Sequence, residues 1–243
     1  MKNNFKQLEA ALTAFKKEPS PQQTLKIAFC YHNIADLLSS IECNTIAVDY
    51  YKLERDTRIK AYQESPTDEL LMSIANSNQD IGRAYCKLKE YDKAIWYNQK
   101  ALIIMDKVSE ITDTNTTATN IATIHYDIGK LYNLTEDFDK AIASFTEALL
   151  HKQFVLKDNP QHTISLDISR ICNALCHSYH NKKNYGMAAE YNKASKFYKL
   201  PIADQQEIKN QDQEPETESV IWERIIAELE EVDLSGDGLE YAA

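Results

Sequence analysis

Residues 127–150 read DIGKLYNLTEDFDKAIASFTEALL, and shorter forms of the same pattern occur three more times in the chain. Each copy has a small residue within an apolar stretch, and the four small residues are spaced by 47: Ala35, Gly82, Gly129 and Cys176. An alanine follows each of them after twelve residues, at Ala47, Ala94, Ala141 and Ala188. A constant period of this length predicts stacked helical hairpins, because each hairpin buries its apolar face against the next one.

The third copy carries the most complete motif, Ile128-Gly129-x-x-Tyr132 followed by Ala141-x-x-x-Phe145 and Ala148-Leu149. This order of residues resembles the tetratricopeptide repeat (TPR) family. The period of 47 residues exceeds the ~34 of the common repeat, and in this respect the chain is similar to the lengthened repeats of kinesin light chains. The resemblance implies an all-α fold, a right-handed superhelix of about four antiparallel helical hairpins with an extra helix at each end.

The start of the chain predicts a helix that covers the open end of the first repeat. Its single apolar stripe consists of Phe5, Leu8, Leu12 and Phe15. A solenoid end exposes an apolar face, so we expect a capping helix over residues 1–18, with coiled-coil dimerisation as the alternative. The four repeats are then expected over residues 19–202.

The C-terminal part of the sequence is strongly acidic. From residue 203 onward there are 13 acidic side chains against Lys209 and Arg224. Residues 203–217 have few apolar side chains and predict a flexible acidic linker. Residues 218–243 place Trp222 and several aliphatic side chains on one face and predict an acidic amphipathic helix. Three roles are open for this tail: capping the last repeat, folding into the groove of the repeats, or binding another protein.

The composition excludes several classes of protein. The 243 residues include only 5 Gly and 6 Pro, and the formal net charge is −10. A near-neutral body with an acidic tail does not suit a nucleic-acid backbone, so we expect no nucleic-acid partner. No apolar run is long enough for a membrane span or a signal peptide. We therefore expect a cytoplasmic protein that does not bind membranes and whose five cysteines are free thiols.

In a stack of this kind the first helices of the hairpins line a concave groove. The repeat register assigns twelve polar side chains to this groove: His32, Asn33, Asp36, Asn76, Gln79, Arg83, Tyr126, Lys130, Asn133, Arg170, Asn173 and His177. Among these groove positions, three cations stand against one acid, so the groove should prefer an acidic protein or peptide ligand. The protein's own tail is one such ligand.

Related long-repeat families hold a peptide backbone with an asparagine just before the small residue. Two of the corresponding positions here are Asp80 and Asp127. An aspartate accepts hydrogen bonds but cannot donate them, so these two are expected to cap or to pair with neighbouring Lys or Arg instead.

The main prediction is a protein-interaction adaptor without a cofactor, because the sequence has no nucleophile elbow, phosphate loop or His-Glu-x-x-His motif. Two alternatives remain open. One is a metal-binding sensor or enzyme that uses Cys172, Cys176 and His180, which are spaced four apart on one helix. The other is a self-assembling structural unit that pairs through its terminal helices.

Overall fold

The computed structural model of the chain describes residues 2–112 and 114–211, and these residues are folded into ten α-helices. In chain order the helices are α1 (Lys2–Lys17), α2 (Pro21–Ser40), α3 (Asn44–Glu64), α4 (Asp68–Lys87), α5 (Tyr91–Ile111), α6 (Asn115–Leu134), α7 (Phe138–Asp158), α8 (His162–Asn181), α9 (Tyr185–Tyr198) and α10 (Ile202–Gln211). None of the helices in this part of the chain combines the length and apolar character that a membrane crossing requires.

Helices α2 to α9 form four antiparallel hairpins, and their starts repeat at the predicted period. The first helices begin at residues 21, 68, 115 and 162, and the second helices begin at residues 44, 91, 138 and 185. Each helix packs mainly against the helix before it and the helix after it. The core is therefore distributed along the stack in three clusters of buried side chains. The predicted all-α solenoid fold is confirmed.

A serine or threonine side chain caps the N-terminus of the first helix in three of the four hairpins. The hydroxyl groups of Ser20, Thr67 and Thr114 accept hydrogen bonds from the backbone N–H three residues later. Such a cap satisfies one of the backbone donors that the first turn of a helix leaves free. The corresponding residue of the fourth hairpin is Gln161, whose side chain makes no capping hydrogen bond.

All four hairpins also turn in the same way, through a residue with a left-handed backbone. The four residues have φ between 60° and 64°, and they are Glu42, Lys89, Glu136 and Lys183. In the fourth hairpin the N–H of Asn184 donates to the carbonyl of Tyr179, and the N–H of Lys183 donates to the carbonyl of His180, both at 2.9 Å. This is the Schellman motif, in which glycine is the usual left-handed residue. The strain of a side chain at this position is roughly 1–2 kcal/mol and is overcome by helix packing.

The strained turn predicts opposite effects for two neighbouring lysines. Lys183→Gly removes the Cβ at a positive φ and should raise the free energy of unfolding by about 0.5–1 kcal/mol. Lys182 has φ −74° and pairs with Asp139 at the surface, so Lys182→Gly should lower that free energy through chain entropy and the loss of this ion pair. Urea denaturation of both variants followed by circular dichroism measures the difference. A Lys183→Gly chain that is no more stable than Lys182→Gly would contradict the proposed strain.

The small residue of the repeat lets the two helices of a hairpin approach closely. A Cβ added to Gly129 would lie 2.7 Å from two ring carbons of Phe145, which is fully buried. In the second hairpin a Cβ added to Gly82 would lie 2.5 Å from the amide nitrogen of Asn98 and 3.1 Å from the carbonyl oxygen of Ala94. At these two glycines the closeness of the helices excludes even a methyl group.

We therefore expect Gly129→Ala to destabilise the protein although alanine is the better helix former. Overpacking of a buried site costs about 1–3 kcal/mol, which exceeds the helix propensity gain of about 1 kcal/mol. The matched control is Gly186→Ala in α9, where the nearest atom to an added Cβ is at 3.8 Å. That variant should be as stable as the parent chain or more stable. Thermal unfolding of the two variants distinguishes these outcomes, and equal stability of both would show that the contact in the third hairpin can relax.

The N-terminal helix α1 packs on α2 and α3. Leu8 is buried in the first core cluster, and the ring of Phe5 meets the ring of Tyr50 edge-on with 6.3 Å between centroids. The Asn4 side chain donates to the carbonyl oxygen of Asn33 at 3.3 Å. These contacts place α1 against the first repeat, with Leu8 buried and with Phe5 and Leu12 still 41% and 36% exposed.

The other end departs from the sequence prediction. Residues 203–211 were expected to be a flexible linker, and this is wrong because they form most of α10. Gln205 is buried, and its amide donates to Ser165 Oγ and to the carbonyl of Leu200, both at 2.7 Å. One well-placed polar side chain thus anchors a helix that its composition does not suggest. The rest of the predicted linker and the predicted tail helix over 218–243 lie outside the described residues.

Candidate functional site

The first helices α2, α4, α6 and α8 lie side by side and make side-chain contacts between successive repeats; we call them the first-helix row. Lys87 of α4 donates to Ser39 Oγ of α2 at 2.5 Å. Ser178 of α8 donates to Asn133 Oδ1 of α6 at 2.9 Å. The row therefore presents polar side chains of neighbouring repeats as one surface.

The twelve side chains assigned to the groove differ in their access to solvent. Six are exposed, namely Asp36, Asn76, Arg83, Lys130, Arg170 and His177. Five are half-buried, namely His32, Asn33, Tyr126, Asn133 and Asn173. Gln79 is buried, with 6% of its surface exposed, and so it supports the surface from below. Asn33 lies towards α1, since its carbonyl accepts the hydrogen bond from Asn4.

Arg83 links two repeats through two aspartates. Its Nε donates to Asp127 Oδ2 of α6 at 3.0 Å, and its Nη1 donates to Asp80 Oδ1 at 3.2 Å. Gln79 donates to the same Asp127 oxygen at 3.0 Å. These are the two aspartates expected to pair with Lys or Arg in place of a peptide clamp, and both do so with Arg83.

The charge of the row is more balanced than the twelve side chains alone suggest. Asp80, Asp127 and Asp167 lie in the row beside the cations. They are not among the twelve side chains predicted for the groove, because that prediction included only positions that face outwards. Their depth differs from that of the cations, because Arg83 is 46% exposed while Asp80 and Asp127 are 22% and 16% exposed. Arg170 is likewise 69% exposed, above an Asp167 that is 30% exposed. The arginines thus lie outermost, and their acidic partners lie beneath them.

A cleft opens between the third and fourth hairpins. Its volume is about 110 Å³, and its wall consists of Ala122, Thr123, Tyr126, Lys152, Asp167, Arg170 and Ile171. Lys152 is buried and donates to Asp167 Oδ2 at 2.8 Å. The ammonium of Lys130 lies 5.7 Å from the centre of the Tyr126 ring, close enough for a cation–π contact. The cleft therefore combines an aromatic face, an internal ion pair and the outward guanidinium of Arg170.

A buried carboxylate organises the other end of the row. Glu54 of α3 has 1% of its side chain exposed, and it accepts from Arg58 Nε at 2.8 Å and from Ser77 Oγ at 3.1 Å. Its second oxygen lies 3.3 Å from His32 Nδ1. A buried charge needs partners on every side, and here three helices supply them. The repeat register did not predict Glu54 as a site residue, because the register assigned groove positions on first helices and Glu54 belongs to a second helix.

His32 is in contact with three acidic side chains. Besides Glu54, its Nε2 lies 3.3 Å from Asp36 and its Nδ1 lies 3.9 Å from Asp80. The hydrogen bond to Glu54 raises the pKa of His32 above its usual value, and burial acts in the opposite direction. The hydroxyl of Tyr51 donates to Asp36 at 2.6 Å. The imidazolium form of His32 is therefore the form that this cluster stabilises.

The Asp80 carboxyl is held in an unusual state by its surroundings. Burial raises the pKa of Asp80 to about 6, although the positive charges of Arg83 and His32 act to lower it. The folded protein thus holds a proton on Asp80 at pH values where an unfolded chain, with a pKa of 3.8, has lost it. Deprotonation between these two pKa values weakens the folded state.

We expect Asp80→Asn to show this linkage directly. Because the folded-state pKa is raised, the penalty in the parent chain appears as the pH rises from about 4 to 7, and the amide variant does not have it. The free energy of unfolding of Asp80→Asn minus that of the parent should increase over this range by roughly 2–3 kcal/mol. Urea denaturation at several pH values measures the difference, and the exposed Asp92→Asn serves as the control. A difference that does not change with pH would show that Asp80 has an ordinary pKa.

The alternative metal site on α8 is not formed. Within the described residues the donor atoms of Cys172, Cys176 and His180 are not gathered within 4.8 Å of one another. Cys172 is fully buried, and burial raises its pKa to about 12, which disfavours the thiolate that a metal binds. His180 contacts the ring of Tyr185, with 5.3 Å between ring centroids. The proposal that these three side chains share a metal ion is therefore wrong, because the two cysteines fill packing positions.

Several residues in the row or in contact with it were missed by sequence reasoning. Lys152 and Glu54 lie on second helices, and Asp167 lies one turn before the positions assigned to the groove on α8. The spacing of Asp167 and Arg170, three residues apart on one helix, was the only signal in the sequence that could have indicated their pairing.

Solved structures provide an independent comparison. The chain resembles the apo form of RapI with a TM-score of 0.62 and 13% identity, over 95% of this chain and 60% of the RapI chain. BtubC (BKLC) from P. vanneervenii gives a TM-score of 0.47 and 14% identity, over 81% of this chain and 88% of that one. MamA gives a TM-score of 0.47 and 17% identity, over 84% and 89% of the two chains.

A scan against protein-family models and a search of curated proteins gave no match to the sequence. At 13% identity the likeness to RapI is one of fold. This likeness in fold is in agreement with the TPR resemblance of the motif in the third repeat. The described part of the chain is a TPR-like α-solenoid.

Proposed function

We propose that this protein is an interaction scaffold whose first-helix row binds an acidic segment of a partner protein, in extended or helical form. The observation that carries the proposal is the layering of charge in the row. The guanidinium groups of Arg83 and Arg170 lie outermost, while the acids that balance them lie deeper. Lys130 is exposed between them on α6. Asp36 on α2 is an exposed acid of the row, with 56% of its side chain accessible. A partner that approaches α4, α6 and α8 meets cations first, which favours a ligand with carboxylates.

The cleft between α6 and α8 provides the proposed anchor point. The ring of Tyr126 in the cleft wall offers an apolar face, and the side chain of Arg170 lies at the rim, where most of it is exposed. Lys152 and Arg170 both pair with Asp167, but Lys152 is buried whereas Arg170 keeps 69% of its side chain exposed. An incoming carboxylate would therefore be bound by Arg170 and Lys130. A volume of about 110 Å³ matches one side chain of a partner rather than a small-molecule ligand, whose sites typically measure roughly 300–1,000 Å³.

The acidic tail of the chain is the proposed internal competitor for this surface. Residues 218–243 are strongly acidic, and the apolar face predicted for them is of the kind that the row and its cleft would select. A tail that occupies the row would leave it accessible only to partners that bind more tightly, which is a simple form of regulation.

A peptide of residues 216–243 provides the first test of this proposal. It is labelled and titrated by fluorescence anisotropy into a chain shortened to residues 1–211, whose fold is checked by its circular dichroism and thermal melt. We expect the Lys130→Glu/Arg170→Gln variant to weaken binding at least tenfold, because it removes two exposed cations from the row. Binding should also weaken as salt rises from 50 to 300 mM, since exposed charges are screened.

The matched control is Lys107→Glu/Lys157→Gln, which changes the same charges at exposed positions of the second helices α5 and α7. An unrelated Glu-rich peptide of equal charge distinguishes tail recognition from general recognition of acidic segments. Failure of both peptides to bind, or equal weakening by the two double variants, would contradict the role of the first-helix row. Arg83 is left intact in both variants because an acid at that position would face Asp80 and Asp127.

A further inference from the structure

Three side chains of types that can bind a metal ion lie close together on the third hairpin. They are not among the polar side chains described above for the first-helix row. His125 lies on α6, and Glu147 and His151 lie on α7. Their donor atoms all lie within 4.8 Å of one another. We propose that His125, Glu147 and His151 form a binding site for a divalent transition metal ion, with zinc as the expected occupant.

The backbone places the three side chains favourably for binding the same metal ion. Glu147 and His151 are four residues apart on α7 and so lie on one face of that helix. The imidazole of His125 faces that of His151, with ring centroids 6.2 Å apart and planes inclined by 15°. A tetrahedral zinc ion with bonds of 2.0–2.2 Å needs donor atoms roughly 3.3 Å apart. The present separations require a movement of at most about 1.5 Å, and the exposed Glu147 can supply much of it by rotation.

The ligand set also decides which ions fit. Two imidazoles and one carboxylate suit zinc and other late transition metals, whereas magnesium and calcium prefer oxygen ligands throughout. His125 and His151 are half-buried and Glu147 is exposed. A bound ion would thus keep a coordination position towards solvent, as zinc sites with three protein ligands do.

The test uses the full chain after metal removal with EDTA and dialysis. Isothermal titration with zinc should show one ion per chain, and magnesium should give no saturable heat. Glu147→Gln should weaken zinc binding at least tenfold, and His151→Asn should reduce it to the level of non-specific binding. Zinc should raise the unfolding midpoint of the parent chain and leave that of His151→Asn unchanged, since a ligand that binds the folded state stabilises it.

The matched control is His177→Asn, which removes an exposed histidine from α8 and should bind zinc as the parent does. Cobalt provides a spectroscopic signature, because its visible bands report a tetrahedral site of nitrogen and oxygen ligands. The proposal is overturned if the parent chain binds no stoichiometric zinc or if Glu147→Gln and His151→Asn bind it unchanged. A strong thiolate-to-cobalt charge-transfer band would also overturn it, since the ion would then be held by cysteines.

Discussion

The close contact between the two helices of each hairpin is the constraint on which the rest of this structure depends. In the third hairpin Gly129 lies against the ring of Phe145, where no Cβ could be accommodated. A close approach of this kind sets the distance and crossing angle of the pair, since the side chains at the contact determine how deeply two helices interlock. The left-handed turn residue then closes each hairpin at the same point of the repeat. A small residue and a left-handed turn recur every 47 residues, and the four hairpins accordingly stack in the same orientation.

Stacking in turn explains the pattern of charges in the first-helix row. Residues about one period apart come to lie side by side, so Gln79 and Arg83 both reach Asp127 of the next repeat. Within a row of closely spaced helices, an acid that faces a neighbouring helix loses water and needs a cation or a donor nearby. The arrangement around Glu54 is the extreme case, with Arg58, Ser77 and His32 around one carboxylate. The polar surface of the row is therefore part of the packing between repeats as well as a possible binding surface.

The sequence was sufficient to predict the hairpins because their determinants are local and periodic. The small residues, the alanines and the aromatic that begins the second helix are readable in a single repeat. Pairing of Asp80 and Asp127 with a cation was predicted, but the partner was not. Arg83 and Asp127 are 44 residues apart and Gln79 and Asp127 are 48 apart, and only the lateral offset between helices decides which pair forms. The α10 helix was missed for a related reason. Its composition predicts disorder, and its anchor is one hydrogen-bonded side chain, Gln205, that reaches back to α8.

The proposed metal cluster lies on α6 and α7, and both of these helices also contribute side chains to the wall of the cleft. On α6 the ligand His125 adjoins Tyr126 of the cleft, and on α7 the ligand His151 adjoins Lys152, whose ammonium pairs with Asp167 inside the cleft. An ion that draws His125 and His151 together would fix the spacing of α6 and α7 at the level of the cleft wall. Lys152 pairs with Asp167, and Asp167 in turn pairs with Arg170 at the rim. Under the metal-site proposal, a shift of α7 caused by the ion would reach the rim arginine through these two ion pairs.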